Sequence, residues 1–448
     1  MNRANKLTDE QYENNFEELT PPFTRNSAVS EAFRCLYCFD APCIRACPTH
    51  IDIPTFIKKI LTGNPLGSAK TIYESNWLAL TCAKACPVDD LCEGACVLNE
   101  KGEKPIQIGR LQRYSVEYYL DSGKGNLFNK KSFNGKSVGI IGSGPAGLAC
   151  GAELSLLGYK VEIYESDKVP GGLNTWGIAP YKTRQYDSLR EVELIKNLGV
   201  TIHTCVTIGQ TISFDELLNR HDAIFIGIGL GESENLDIPG ENLKGVSGAV
   251  KLIKEIKKEK WSSIDIGRRV AVIGAGNTSI DAATNAKRLG AEEVTIIYRR
   301  SENEMPANNF EYELAKSDGI IFKFLTSPIE IIGNSSVEGL RCLKMELGEK
   351  DEHGRRKPVP VPNSEFEIPV DMVITALGQK FNAEFLELIP DIKISNRKLL
   401  VDTDTYQTGN PKVFAGGDCI NGGKEVVNAA YDGKQAAHGI DRFLTNTP

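Results

Sequence analysis

The residues best suited to chemistry are cysteines, eight of which lie between positions 35 and 96 of a 448-residue chain that contains twelve. They form two runs, Cys35, Cys38, Cys43 and Cys47, and then Cys82, Cys86, Cys92 and Cys96. Closely spaced thiolates can converge on zinc or on an iron-sulfur cluster. Four cysteines within thirteen residues, and a proline after both Cys47 and Cys86, are typical of iron-sulfur ligands rather than zinc knuckles. The sequence therefore predicts an electron-transfer centre.

The first 25 residues bear on the state of these thiols. They are polar and contain no apolar segment of a signal peptide, so we expect a cytoplasmic protein with reduced, metal-bound cysteines rather than disulfides. No apolar run in the sequence approaches the length of a membrane span. The net charge is −7 and long basic stretches are absent, which argues against a nucleic-acid partner.

A glycine-rich motif follows an apolar strand near residue 140. Its glycines are Gly142, Gly144 and Gly147, with Pro145 and Ala146 between the last two. Glycines at this spacing permit a tight turn and let the backbone approach a pyrophosphate at the N-terminus of the next helix. The following strand ends at Glu165, whose carboxylate can accept hydrogen bonds from ribose hydroxyls. Strand, glycines, helix, strand and acid in this order predict a dinucleotide site.

A second copy of this pattern begins at Gly274. The motif contains Gly274 and Gly276, then Asn277 and Thr278 at the predicted start of a helix, and Ser279 in place of the third glycine. Its second strand ends in Arg299 and Arg300 instead of an acid. Guanidinium groups suit the 2′-phosphate of NADP, which a carboxylate would repel. The sequence thus favours NADP, with NAD as the alternative.

Three more apolar strands end in turns of small residues, where a backbone can pass close to a cofactor. These turns contain Gly229, Gly378, and the pair Gly417 and Asp418. The carboxylate of Asp418 is a candidate partner for a ribityl hydroxyl of a flavin, although aspartate is also common in ordinary turns.

Together these segments resemble a family of flavoproteins with two dinucleotide sites. The family includes thioredoxin reductase-like domains, the small subunit of glutamate synthase and the N-terminal half of dihydropyrimidine dehydrogenase, and the resemblance spans roughly residues 30–440. The dihydropyrimidine dehydrogenase branch looks most similar, through CLYCFDAPC at 35–43, FIGIGL at 225–230 and DGKQA at 432–436. One departure is GIAPYKTR at 177–184, so contacts near the flavin ring are expected to differ from those of many relatives.

The resemblance implies two 4Fe-4S clusters with interleaved ligands. One would be bound by Cys35, Cys38, Cys43 and Gln112, and the other by Cys47, Cys86, Cys92 and Cys96. Cys82 would then bind no iron. From first principles glutamine is a poor iron ligand, so the residues alone make Cys82 the plainer candidate.

The resemblance also assigns the nucleotide sites. FAD would be held by the first glycine motif together with Glu165, Gly171, Gly172, Leu173 and Asp418. The nicotinamide nucleotide would be held by Gly274, Gly276, Asn277, Thr278, Arg299 and Arg300.

The expected fold class is α/β. An α-helical two-cluster iron-sulfur domain with a linker, residues 1–130, precedes two Rossmann-like domains of the glutathione and thioredoxin reductase type. The FAD-binding domain covers 131–250 and 379–448, and the NAD(P)-binding domain, 251–378, is inserted in it.

The remaining four cysteines form no closely spaced pair, so electrons from the flavin would leave through the clusters rather than a dithiol. Hydride transfer needs no acid or base, and no residue is assigned as catalytic. The resemblance implies an NAD(P)H-oxidising subunit whose FMN and iron-sulfur partner, a dihydropyrimidine dehydrogenase catalytic subunit, reduces uracil or thymine to the 5,6-dihydro form. Alternatives are the glutamate synthase small subunit, the large subunit of a bifurcating ferredoxin-NADP reductase, and a non-catalytic scaffold.

Overall fold

The fold comes from a computed structural model, in which residues 2–350 and 354–446 are described. Its helices are α1 (Asp9–Asn15), α2 (Arg25–Phe33), α3 (Pro42–Ala46), α4 (Ile53–Leu61), α5 (Pro65–Tyr73), α6 (Ala79–Ala85), α7 (Ile108–Asp121), α8 (Pro145–Leu156), α9 (Leu173–Trp176), α10 (Gln185–Asn197), α11 (Phe214–Arg220), α12 (Ala249–Lys258), α13 (Asn277–Arg288), α14 (Asn309–Ser317), α15 (Ala383–Leu386), α16 (Asp418–Asn421) and α17 (Val426–Asn446). Short 3-10 turns cover Asn99–Lys101, Trp261–Ser263 and Glu302–Glu304.

The strands are β1 (Ser137–Ile141), β2 (Lys160–Tyr164), β3 (Thr201–His203), β4 (Ala223–Ile226), β5 (Val246–Gly248), β6 (Arg269–Ile273), β7 (Glu293–Ile297), β8 (Ile321–Lys323), β9 (Thr326–Ile332), β10 (Gly339–Lys350), β11 (Arg356–Ile368), β12 (Met372–Thr375), β13 (Ile394–Ser395), β14 (Lys398–Leu399) and β15 (Val413–Ala415). These elements belong to two compact units. Unit 1 comprises Met1–Glu18, Trp176–Tyr181 and Gly231–Lys380, and unit 2 comprises Leu19–Thr175, Lys182–Leu230 and Phe381–Pro448.

This division differs from the expected boundaries at the N-terminus and near residue 250. The first 18 residues group with the inserted unit, because the Ala4 amide donates to the Ile266 carbonyl at 2.9 Å and Phe16 stacks on Trp261 with ring centroids 4.5 Å apart. The chain returns to unit 1 at Gly231, before the expected boundary, since β5 is already an edge strand of that unit's sheet.

Unit 2 contains a five-stranded parallel sheet in the order β15-β4-β1-β2-β3. The apolar residues of β1 and β4 are almost all buried, as expected of a parallel sheet covered on both faces. The strand order reverses between β1 and β4, and ligands of such sheets bind at the carboxyl ends of the strands beside this point.

The helical part of unit 2, which runs from α2 to α7, shares one continuous apolar core with that sheet. In α4, Ile53, Phe56, Ile57 and Ile60 recur at helical spacing and are all buried. Trp77, 1% exposed, donates its indole N–H to Glu153 of α8 at 3.1 Å. The cysteine-bearing helices are therefore part of the same packed body as the first glycine motif.

Unit 1 has its own five-stranded parallel sheet, ordered β5-β12-β6-β7-β8, and an antiparallel β11-β10-β9 sheet. The two parallel sheets confirm the prediction of two Rossmann-like folds that follow a helical domain in the sequence. Within residues 2–350 and 354–446, no helix is both long and apolar enough to cross a membrane.

Candidate functional site

Four cysteines line one pocket in the helical part of unit 2. They are Cys35, Cys38, Cys43 and Cys96, called here the first cysteine set. The other residues that line the pocket are apolar, among them Ile53, Ile57 and Ile106. All four cysteines are half-buried. This arrangement provides soft sulfur donors inside an otherwise apolar recess.

The remaining cysteines of the segment form a second group. They are Cys47, Cys82, Cys86 and Cys92, called here the second cysteine set. The Cys86 amide donates to the Cys82 carbonyl at 3.0 Å, so these two residues lie one turn apart at the end of α6. A hydrogen bond with Cys82, burial and the charges of Cys92 and Cys47 raise the pKa of the Cys86 thiol well above its usual range. Cys86 thus interacts electrostatically with the other three, and Cys92 interacts with Cys43 of the first set as well as with Cys47, so the two sets adjoin.

This grouping differs from the partition that the resemblance implied. Cys96, which the resemblance places with Cys47, lines the pocket of Cys35. Gln112, expected beside Cys35, is buried on α7 and donates its side-chain amide to the Ala79 carbonyl at 2.7 Å. Cys82 lies within the second set, where the resemblance gave it no role. The difference arises because tertiary folding, not spacing, brings the Cys96 turn back to the first cysteine loop.

Several thiols of the two sets have raised pKa values, so without a metal they would be protonated. Burial, reinforced by the charges of Cys35 and Cys96, raises the pKa of the Cys43 thiol to about 12. Burial also raises the pKa of Cys92 well above its usual range. Direct bonds to iron stabilise thiolates that would otherwise be protonated. Eight soft donors in two sets of four fit two 4Fe-4S clusters.

A mononuclear metal site is a different arrangement. In the described part of the chain, no group of three or more His, Cys, Asp or Glu side chains is placed to hold a single metal ion. The two cysteine sets offer soft sulfur donors, and in a 4Fe-4S cluster each ligand binds a different iron atom.

The first glycine motif joins β1 to α8 at the carboxyl edge of the unit 2 sheet. Gly142 has φ 94°, and a Cβ there would lie 2.6 Å from the Gly227 carbonyl oxygen. A Cβ on Gly147 would lie 2.0 Å from the Gly142 oxygen, so the close packing of helix and strand requires glycine. Gly144 precedes α8, whose first residues are Pro145 and Ala146, and the nearest atom to its Cβ position is 3.9 Å away. The helix N-terminus is accessible to a phosphate.

Glu165 follows β2 and stabilises the glycine turn. Its Oε2 accepts hydrogen bonds from the Ser143 amide at 2.9 Å and the Ser143 hydroxyl at 2.6 Å. Its Oε1 accepts one from the Asp167 amide at 2.8 Å. The predicted ribose-binding acid is thus adjacent to the glycine motif.

The Gly171-Gly172 turn, directly before Leu173 of α9, packs on the same motif. The Gly171 amide donates to the Ser143 hydroxyl at 3.0 Å, and a Cβ on Gly172 would lie 2.7 Å from Gly144 Cα. Both glycines have positive φ, 114° and 55°. These contacts bring together three separate segments that the sequence assigned to FAD.

Gly417 and Asp418 lie at the end of β15, also beside α8. A Cβ on Gly417 would be 3.0 Å from the Ala146 Cβ, and the Gly417 amide donates to Asp432 at 3.1 Å. Burial, and then the charge of Asp432, raise the pKa of Asp418. The structure therefore places the proposed ribityl-binding acid next to the first glycine motif.

The second glycine motif has a comparable geometry in unit 1. Gly274 has φ 126°, and a Cβ there would lie 2.3 Å from the Ala376 carbonyl oxygen. At Gly276, by contrast, no neighbouring atom of the described residues lies within 4 Å of the Cβ position. Asn277 and Thr278 form the first turn of α13 beyond it. Gly274 is required by the turn, whereas the space beside Gly276 is accessible to a ligand.

The two arginines after β7 have different environments. Arg299 is exposed, while Arg300 is 9% exposed and its Nε donates to the Arg356 carbonyl at 2.9 Å. Arg300 thus helps to hold the strand end, and Arg299 is the more accessible group for a 2′-phosphate.

Gly229 in unit 2 and Gly378 in unit 1 are the other predicted cofactor-facing turns. Their φ angles are 62° and 113°, and the described residues place no atom within 4 Å of either Cβ position. Each turn is open beside its glycine, as an approach by a ligand would require.

Two residues near the second cysteine set were not predicted to have a role. The resemblance left Cys82 without one, and sequence reasoning did not single out Glu191. Cys82 had a usable signal, since three intervening residues place it one helical turn from Cys86. Glu191 had no signal in the sequence, because its hydrogen-bond partners, Leu80 and Thr81, are 110 or more positions away in the chain.

Comparisons with known proteins agree with this arrangement. Residues 12–124 match the family described as dihydropyrimidine dehydrogenase domain II, 4Fe-4S cluster, and residues 136–433 match the pyridine nucleotide-disulphide oxidoreductases. Fold and site thus define a pyridine nucleotide oxidoreductase that carries FAD and an iron-sulfur domain.

Relatives are similar over most of the chain. The glutamate synthase [NADPH] small chain of Escherichia coli K12 is 34% identical over 446 residues, which cover 96% of this chain and 94% of the relative. That of Halomonas elongata is 35% identical, with 96% and 93% covered. The chain therefore belongs to the family of FAD and 4Fe-4S oxidoreductases that includes the glutamate synthase small chains.

A third relative is longer than this chain. The NADP(+)-dependent formate dehydrogenase subunit beta of Moorella thermoacetica is 37% identical over 432 residues, and this chain spans 60% of its length. Among solved structures, Mycobacterium tuberculosis FprA in complex with NADPH aligns with a TM-score of 0.58 at 22% identity, covering 69% of this chain and 85% of FprA. Thioredoxin reductase of T. acidophilum gives 0.53 at 22%, covering 69% and 99%. These structures support the fold of the nucleotide-binding part.

Proposed function

We propose that this chain is the electron-input subunit of a hetero-oligomeric reductase, oxidising NADPH and delivering the electrons to a partner subunit. The observation that carries the proposal is the continuous core of unit 2, which includes both cysteine-bearing helices and the flavin-type glycine motif. When bound, FAD accepts a hydride from the nicotinamide, and the 4Fe-4S clusters carry single electrons.

The second cysteine set is on the flavin-facing side of the helical part. Its helix α6 is hydrogen-bonded to Glu191 of α10, which belongs to the flavin-binding part. His50, three residues after Cys47, packs edge-on against Tyr431 of α17 with ring centroids 6.1 Å apart. We therefore place the second set first on the electron path from the flavin.

The first cysteine set is on the partner-facing side. Large apolar side chains flank its cysteines at the end of α2 and on the loop that follows: Phe33 is 77% exposed, Leu36 is 49% exposed and Phe39 is fully exposed. Exposed apolar groups of this kind are typical of protein contact surfaces. An acceptor bound there would lie next to the pocket that contains Cys35 and Cys38.

NADPH is favoured as the electron donor. The exposed Arg299 at the end of β7 can pair with a 2′-phosphate, and β7 carries no acid at the position where NAD-binding folds place one. The full-length relatives named above are NADPH-dependent by description, which supports the same choice.

A glutamate synthase large chain is the best supported partner. The match to small chains covers 93% or more of both proteins, so this chain contains the parts that a small chain has. The second candidate is an FMN and iron-sulfur subunit that reduces uracil or thymine. It is supported by the match of residues 12–124 to the dihydropyrimidine dehydrogenase domain and by the DAPC sequence at 40–43.

The substrate that the native complex uses distinguishes the two candidate partners. The chain is co-purified anaerobically with its native complex, and NADPH oxidation is measured with glutamine plus 2-oxoglutarate and, separately, with uracil. Glutamine-dependent oxidation supports the first candidate, and uracil-dependent oxidation supports the second. If NADPH is oxidised neither with glutamine plus 2-oxoglutarate, nor with uracil, nor with an artificial dye, the electron-input function itself is contradicted.

A further inference from the structure

The cysteine-bearing helix α6 is attached to the flavin-binding part through one fully buried acid. Glu191 of α10 is 0% exposed. Its Oε1 accepts a hydrogen bond from the Leu80 amide at 2.6 Å, and its Oε2 accepts one from the Thr81 amide at 3.2 Å. The Thr81 hydroxyl also donates to Oε2. Leu80 and Thr81 directly precede Cys82, so this carboxylate fixes the first turn of the helix that carries the second cysteine set.

A second contact fixes the other end of the same helix. Lys84, between Cys82 and Cys86, pairs with Asp187 of α10 at 2.6 Å, and both side chains are less than a tenth exposed. Asp187 and Glu191 are one helical turn apart on α10. The two acids therefore hold α6 at both ends, and neither end can shift without breaking buried polar contacts, which is costly.

The electrostatic surroundings of Glu191 are defined by three elements. Asp187 faces it from its own helix, Lys84 belongs to α6, and the buried phenol of Tyr73 on α5 interacts with it. Burial raises the pKa of Glu191 to about 7, although hydrogen bonds from Thr81 and Leu80 favour the ionised form. Above that pH the carboxylate is a negative charge in a dry region next to a cysteine-bearing turn.

We propose that Glu191 is a positioning residue for the cluster of the second cysteine set: it holds α6 against the flavin-binding part, and its charge lowers the reduction potential of that cluster. The inference deepens the proposed function and rests on it. Cluster potentials respond to nearby charge and to the geometry of the ligating turn. Electron transfer from the flavin depends on the same placement.

Three variants of the holoprotein test this role. Glu191→Gln keeps the size of the side chain but removes its charge, and Glu191→Ala removes the contact. The matched control is Glu193→Gln on the same helix, where the acid is exposed and pairs with Lys196. Each protein is purified anaerobically, its iron and FAD are counted, and cluster potentials are measured at pH 8.5 by EPR-monitored redox titration. The signal of the second set is identified as the one lost in Cys86→Ser.

We expect Glu191→Gln to raise the midpoint potential of the second-set signal and to leave the first-set signal unchanged. Glu191→Ala should slow cluster reduction several-fold in rapid mixing with NADPH, or lose only the second-set iron, while flavin reduction keeps its rate. Potentials and rates equal to those of Glu193→Gln would overturn the proposal. So would loss of FAD and of both clusters in Glu191→Ala combined with wild-type potentials in Glu191→Gln, because that pattern indicates a general folding role. If NADPH fails to reduce the flavin in the wild type, the proposed function fails instead.

Discussion

At the scale of single residues, the main result is the position of Cys82. The family resemblance excluded it from iron binding in favour of Gln112, whereas the structure places it against Cys86 and gives the Gln112 amide a backbone partner. Cysteine is also the chemically stronger ligand of the two. We therefore propose Cys82, rather than Gln112, as a cluster ligand.

Replacing these two residues separates the alternatives. We expect Cys82→Ser to lower the iron content of anaerobically purified protein from about eight to about four atoms per chain, because one thiolate ligand of a 4Fe-4S cluster is lost. Gln112→Leu should retain about eight. Iron analysis with EPR provides the measurement. The reverse pattern, with iron lost only in Gln112→Leu, would restore the partition implied by the resemblance.

The buried Glu191 carboxyl should also affect stability. Its pKa is raised to about 7 in the folded chain, so the folded state binds more protons than the unfolded state above the ordinary glutamate pKa. The contribution is present below pH 4.5 and is lost as the pH rises through 7. The largest contribution of Glu191 to the free energy of unfolding is about 3 kcal/mol, because each unit of pKa shift corresponds to about 1.36 kcal/mol.

Thermal unfolding of holoprotein at pH 5 and pH 8 measures this contribution. The wild type should lose more stability between these two values than Glu191→Gln, which cannot titrate. Equal losses in both proteins would show that Glu191 has an ordinary pKa.

Arg299 should determine the choice of nicotinamide nucleotide. Removing an exposed charged partner of a 2′-phosphate costs about 1.5 kcal/mol or more, so Arg299→Ala should lower kcat/KM with NADPH roughly tenfold. The value with NADH should stay unchanged, because NADH has no such phosphate. Dye reduction assays with both nucleotides test this, and a parallel loss with NADH would indicate a different role.

At the scale of elements, Gly147 is required by the packing of helix on strand, whereas Gly276 leaves space for a ligand. Gly147→Ala would force a Cβ to within 2.0 Å of a backbone oxygen, so we expect unfolding or complete loss of FAD. Gly276→Ala meets no neighbouring atom within the described residues, so stability should be unchanged. Its Cβ would instead occupy space beside a helix N-terminus, where a pyrophosphate binds.

Gly276→Ala should therefore raise the KM for NADPH roughly tenfold, the equivalent of 1.4 kcal/mol of binding energy. Melting curves and steady-state dye reduction provide the two readouts. A large drop in melting temperature with an unchanged KM would show that Gly276 has a packing role.

The elements also show how far sequence reasoning extends. The glycine motifs, Glu165 and the cysteine runs were predicted because local spacing encodes them. The grouping of Cys96 with Cys35 was not, because a fold of the chain over some sixty positions creates it. The hydrogen bonds of Glu191 were also unpredictable, since an acid inside an amphipathic helix usually indicates a solvated face.

At the scale of the whole molecule, the sequence predicted two Rossmann-like folds behind a helical domain, and the structure confirms them. It did not predict that residues 1–18 belong to unit 1, since a short polar segment has no periodicity that identifies its neighbours. Nor could it show that the helical part and the flavin-type sheet share one core. That shared core is the physical basis for an electron path within one chain.

The most direct test of this path is anaerobic mixing of the purified holoprotein with NADPH, kept reduced by a regenerating system, while flavin absorbance and cluster EPR are followed in time. The account predicts rapid loss of flavin absorbance, followed by a 4Fe-4S signal that depends on Cys86. A flavin that is fully reduced while both clusters stay oxidised, at every NADPH concentration, would contradict it.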